Sequence, residues 1–187
     1  MPVLAFEPIP GEIQALIERR AEFGLDHYDE VWDGVLHIIP PPSTEHQRVG
    51  VALVRLLDSV ARSAGLELTL NVGIGEDAHN FRTPDLVVHR QDAAPQWHAT
   101  AALAVEILSP RDTAWHKLDF YADHNVDELL YVDLEKREVT WMALRDGGYQ
   151  RVERSALIDL GIPEVTSHLG WAEVPKEPLP DGARRND

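Results

Sequence analysis

The stretch from Leu103 to Leu108, "LAVEIL", is a strand-length apolar run with a single acid inside it. Side chains alternate along a strand, so Ala104, Glu106 and Leu108 share one face while Val105 and Ile107 share the other. Such a run belongs inside a sheet, and Glu106 must go in with it. An uncompensated buried carboxylate costs several kcal/mol, so something has to answer its charge. A salt bridge or an edge position would do so, and so would a divalent cation such as Mg²⁺, which takes oxygen ligands. A second acid, Asp85, opens the apolar part of "TPDLVV", residues 83 to 88. It reads either as a turn residue after Pro84 or as a partner to Glu106 on a neighbouring strand.

The rest of the chain supplies the elements around this pair. Residues 12 to 23 place Ile13, Leu16, Ile17 and Phe23 at roughly helical spacing, and Gly24 is a plausible stop. Asp33-Gly34 between two runs of strand formers predicts a hairpin. Thr44 and Gln47 form a capping-box pattern for a helix to about Ala64, with Val49, Leu53, Leu56, Leu57 and Val60 inward and Gly65 ending it. "LELTLNVGI", "TPDLVVH", "AALAVEIL", "ELLYVD" and "EVTWMAL" read as strands, and Gly147-Gly148 turns the chain into "YQRVER". Ser109-Pro110, or Asp112, starts a helix running to about Asn125. The expected fold class is α+β, a mixed sheet built largely from hairpins with helices packed on it. One domain is expected over residues 1–171, and a mobile tail rich in proline and charge over 172–187.

Lys117 adds the third chemical group. In "TAWHKLDFYADH", Ala114, Leu118, Tyr121 and Ala122 mark the apolar side of a helix. Lys117 falls about 40° from Tyr121, on the margin of that stripe. It either snorkels to solvent or points back toward the end of the Glu106 strand. Two acids and a lysine around one metal form a phosphodiester-cleaving set. The metal offsets phosphate charge and lowers the pKa of a bound water, while the lysine orients or helps activate that water.

At these residues the chain resembles the Uma-two family of restriction-endonuclease-like proteins, within the PD-(D/E)XK nuclease superfamily. The resemblance runs from about Tyr28 to Tyr149 and rests on "DEVWDGVLHIIPPPSTEH", "RTPDLVV" and "AVEILSPRDTAWHKLDFYADHNVDELLYVD", in that order. It implies a restriction-endonuclease-like fold and names Asp85 and Glu106 as metal ligands; on adjacent strands they are expected to bind one Mg²⁺ or Mn²⁺, helped by the backbone carbonyl of Ile107. Leu108 stands where the superfamily pattern has its lysine, and the resemblance gives that role to Lys117. Glu30, Glu45 and His46 lie in matching segments and are candidate accessory residues. Each also has an ordinary reading: a polar strand residue, a helix N-terminal acid and first-turn polarity.

Other chemistries are excluded or weakened. The chain has no cysteine, so disulfides, thiolate zinc sites and cysteine nucleophiles are out. Its histidines form no HExxH pattern, and "GIGEDAHN" lacks the lysine of a phosphate loop. No apolar run approaches the ~18 residues of a membrane span, and "MPVLAFEPIPGE" shows no signal-peptide pattern, so a cytoplasmic location is expected. A formal charge of −15 runs against the basic surfaces usual in nucleic-acid binding. Arg48, Arg55 and Arg62 could still track a phosphate backbone, although a solvated helix face that pairs with neighbouring acids is the simpler reading. The expected function is a Mg²⁺-dependent endonuclease acting on DNA, with a homodimer as a means of cutting both strands. The rival is a non-enzymatic interaction module that keeps the nuclease-like fold.

Overall fold

The computed structural model describes residues 11–24, 26–90, 97–110 and 113–171. Helix α1 spans Gly11–Glu22, and β1 (Glu30–Trp32) and β2 (Val35–His37) form the predicted hairpin. Asp33 and Gly34 turn it with φ of 48° and 84°, the left-handed pair that a two-residue turn of this twist requires. Helix α2 covers Thr44–Ser63 and leads into β3 (Leu66–Leu70), β4 (Gly73–Asp77), β5 (Asn80–Arg82), β6 (Leu86–Arg90) and β7 (Trp97–His98). Strand β8 is Leu103–Leu108, followed by a 3₁₀ turn at Ala114–Lys117 and α3 at Leu118–Asp123. Strands β9 (Glu128–Asp133), β10 (Glu138–Arg145) and β11 (Gly148–Val152) and helix α4 (Ile162–His168) complete the fold.

The α+β class holds, with the strands divided between two mixed sheets. The smaller is ordered β2-β1-β5-β4-β7 and the larger β11-β10-β9-β8-β6-β3. Strand β8 lies inside the larger sheet, antiparallel to β6 and parallel to β9. Its two faces enter different cores. Leu103, Val105 and Ile107 join Leu53 and Leu57 of α2, while Ala104 and Leu108 join Tyr121, Leu129 and Tyr131. Glu106 follows the second face, as alternation demands, and is only 6% exposed.

Several boundaries differ from expectation for local reasons. Ser43, not Thr44, caps α2, its side chain accepting the His46 N–H at 3.2 Å. "LELTLNVGI" is two strands in two sheets, because Asn71 takes a left-handed φ of 51° between them. The helix expected from Ser109-Pro110 begins only at Ala114 and takes a 3₁₀ turn first. Asp112 and the tail 172–187 lie outside the described residues. Helix α1 has no fully buried residue: Ile13 and Ile17 are half-buried on the side that carries Arg20, while Leu16 and Phe23 remain exposed. No helix among the described residues is long and apolar enough to cross a membrane.

Candidate active site

The ladder between β6 and β8 ends at the pair Leu86–Val105, and one residue before it Asp85 continues the contact with its side chain. Asp85 Oδ2 accepts the Ile107 N–H at 2.7 Å, so a carboxylate stands where a strand partner would otherwise be. Its other oxygen, Oδ1, lies 2.8 Å from His46 Nε2, which α2 delivers from its first turn. The Ser43 cap fixes that turn, so the local helix signal and the position of His46 are one feature.

Glu106 sits beside this pair and is held from the 3₁₀ turn and α3. Its Oε1 accepts Lys117 Nζ at 2.9 Å and Tyr121 OH at 2.5 Å. Lys117 Nζ also donates to Glu30 Oε1 at 2.8 Å, so the lysine lies between two buried carboxylates. Glu30 is fully occupied in turn: Oε1 accepts the Thr83 N–H at 2.8 Å and Oε2 accepts Trp32 Nε1 at 2.7 Å. Behind Glu30, the Arg82 guanidinium is sandwiched between the rings of Trp32 and Phe120, at 4.7 and 4.0 Å. It binds the Val31 carbonyl at 2.8 Å, tying β5 to β1.

The electrostatics follow from the burial. Removal from water pushes the Glu106 carboxyl up to about 7; Glu30 and Asp85 push the same way, and Lys117 and the Tyr121 hydroxyl oppose them. Burial disfavours the Lys117 ammonium, but Glu106 and Glu30 outweigh it and hold its pKa well above the ordinary value. Burial and the same two carboxylates raise the Tyr121 phenol, which therefore remains a proton donor.

A cleft of about 520 Å³ opens onto this network. Glu30, Glu45, His46, Asp85, Glu106, Ile107 and Lys117 all line it, so every catalytic, accessory and metal-ligand candidate comes to one place, whereas Arg48, Arg55 and Arg62 do not line it. Their roles are unequal: Glu45 is exposed, whereas Glu30 is 2% exposed and bound to Lys117. Among the described residues, no group of three or more aspartates, glutamates or histidines is placed to hold a metal ion. Tyr121 is the residue that sequence reasoning missed, having been counted only as an apolar marker. Its position four residues after Lys117 was the available signal, since that spacing puts both side chains on one helical face.

The α+β core thus brings paired carboxylates and a lysine together in one cleft. Residues 18–172 match the model of the Uma2 family, described as "Putative restriction endonuclease", and the chain belongs to that family. A solved structure of similar fold is that of a "putative nuclease belonging to DUF820 from Anabaena variabilis ATCC 29413". It has a TM-score of 0.61 and 16% sequence identity, covering 75% of this chain and 90% of that one. At that identity the likeness establishes the fold alone. The DrdV–DNA complex also aligns, at a TM-score of 0.36 and 14% identity over 67% of this chain and 13% of that one, too slight a likeness to support an argument. No curated protein matches.

Proposed function

We propose that the protein is a Mg²⁺- or Mn²⁺-dependent endonuclease that hydrolyses phosphodiester bonds in DNA. The observation that carries this reading is the convergence of Asp85, Glu106 and Lys117 in one cleft, from the residue before β6, from its neighbour β8 and from the 3₁₀ turn that follows β8. Their donor chemistry suits a hard cation. Glu106 uses Oε1 for both of its hydrogen bonds, and among the described residues none reaches Oε2. The N–H and C=O of a strand residue point to the same edge, so the Ile107 carbonyl faces the Asp85 side with its N–H. Asp85, Glu106 and the Ile107 carbonyl are therefore the ligands we assign. A divalent ion bound there would offset phosphate charge and make a bound water more acidic.

The chain's own groups have distinct parts. Lys117 stays an ammonium, because two carboxylates hold its proton, so it stabilises developing phosphate charge and orients the attacking water rather than removing its proton. Glu30 holds Lys117 in place from the smaller sheet. His46 fixes the rotamer of Asp85 through Oδ1.

A cleavage screen with single-stranded, double-stranded and branched DNA, and with RNA, tests this reading. The wild type is expected to cut DNA when Mg²⁺ or Mn²⁺ is added and to stop when it is chelated, while Glu106→Gln stays inactive throughout. One observation favours the interaction-module reading instead. Lys117 is the sole lysine or arginine among the described residues lining the cleft, and carboxylates already claim it. Metal binding without cleavage of any of these substrates would support that alternative.

A further inference from the structure

Tyr121 is completely buried, yet its hydroxyl is spent on one oxygen of one carboxylate. A phenylalanine would fill the same space among Ala104, Leu129 and the other apolar residues of this core without the cost of burying a polar group. The hydroxyl therefore calls for a reason of its own. A carboxylate oxygen has two lone-pair directions. At Glu106 Oε1, Lys117 Nζ takes one at 2.9 Å and Tyr121 OH takes the other at 2.5 Å. Oε1 is thereby saturated, and Oε2 alone is left to face the cleft. The clamp is stiff. Lys117 is braced by Glu30, and the Tyr121 carbonyl is tied to the Val126 N–H at 3.0 Å.

We propose that Tyr121 is a positioning residue that makes Glu106 a one-oxygen metal ligand and thereby sets a preference for Mg²⁺ or Mn²⁺ over Ca²⁺. The inference rests on the metal site proposed above and concerns how that site chooses its ion. Mg²⁺ demands near-ideal octahedral geometry at about 2.0–2.1 Å, which suits a carboxylate offering a single oxygen. Ca²⁺ accepts about 6–8 oxygens at longer distances and readily takes a carboxylate through both. A Glu106 locked through Oε1 denies Ca²⁺ that second oxygen and costs Mg²⁺ nothing. Loss of the hydroxyl frees one lone pair of Oε1 and lets the side chain rotate toward two-oxygen ligation.

The test is Tyr121→Phe, which keeps the ring and removes only the hydroxyl. Mg²⁺, Mn²⁺ and Ca²⁺ are titrated separately into metal-free wild type and variant by calorimetry, with thermal melts of both proteins. The ratio of Ca²⁺ to Mg²⁺ affinity is expected to rise about tenfold in the variant, a size usual for losing an outer partner of a metal ligand. A purely structural role would lower the melting temperature and leave that ratio alone, which would overturn the proposal. Failure of the wild type to bind any of the three ions would overturn the metal site itself, and this inference with it. Should Tyr121→Phe not fold, infrared difference spectra of wild type against Glu106→Gln in Mg²⁺ decide the matter. Widely split carboxylate stretching bands mean one-oxygen ligation and support the clamp; narrowly split bands mean two-oxygen ligation and overturn it.

Discussion

Lys117 Nζ lies 2.8 Å from Glu30 Oε1, and this contact joins the turn after β8 to β1 of the other sheet. Both side chains are under a tenth exposed, so the pair is shielded from the solvent screening that weakens surface ion pairs. The contact also gives Lys117 a structural duty beside the chemical one proposed for it.

Lys117→Ala should therefore lose both. Removing one charge-stabilising group commonly costs ~10²–10³-fold in rate. Leaving Glu30 and Glu106 buried without their shared cation should cost about 3–5 kcal/mol of stability. Adding Glu30→Gln to Lys117→Ala should recover part of the stability and none of the activity. Turnover and thermal melts of the three proteins measure this, and full activity in Lys117→Ala would remove the lysine from the mechanism.

Asp85→Asn keeps an oxygen for the Ile107 N–H while removing the charge. The fold should persist, and Mn²⁺ affinity measured by calorimetry should fall by roughly tenfold or more, in line with other losses around metal ligands. Equal affinity in wild type and variant would strike Asp85 from the ligand set.

The metal-free protein should carry a pH signature from Glu106. Burial, chiefly, raises its carboxyl from 4.5 to about 7 on folding. An acid raised in the folded state stabilises fully below its unfolded pKa, and that contribution is lost as pH climbs through the folded one. Between about pH 5 and 8, with chelator present, the wild-type melting temperature should fall relative to that of Glu106→Gln. Parallel curves for the two proteins would mean that Glu106 does not titrate in that window.

Arg48, Arg55 and Arg62 lie on α2 roughly opposite its buried His46, Leu53 and Leu57, counting about 100° per residue. They are exposed and do not line the cleft, and Arg62 is paired with Asp58 at 3.0 Å. Replacing all three with alanine should leave DNA affinity and its salt dependence unchanged. A flatter salt slope in the triple variant would restore this face as a phosphate track.

What the sequence revealed depended on how local each signal was. Glu106 was legible because alternation within six residues fixes its face, and Lys117 because helical angles place it beside Tyr121. The hairpin at Asp33-Gly34 needed only its turn chemistry. Glu30 read as a polar strand residue, with an accessory role suggested only by the family resemblance, because its partners Lys117 and Thr83 are far away in the chain and no local pattern announces them. The division into two sheets was hidden for a related reason: it hangs on the left-handed turn at Asn71, in a stretch that reads as one continuous strand. Tyr121 was visible and misjudged, since a phenol at an apolar position carries its ring and its hydroxyl under one letter.

Two backbone amides end on site carboxylates rather than on backbone carbonyls: Thr83 N–H on Glu30 Oε1 and Ile107 N–H on Asp85 Oδ2. Each donor nitrogen lies 2.8 Å or less from the carboxylate oxygen of a residue that lines the cleft. Their nuclear magnetic resonances are built-in antennae. A cation arriving at Asp85 draws electron density from the oxygen that Ile107 feels, while Thr83 registers changes relayed through Lys117. Occupancy of the cleft by a cation would thus be readable from the main chain of ¹⁵N-enriched protein, with no substrate or substitution.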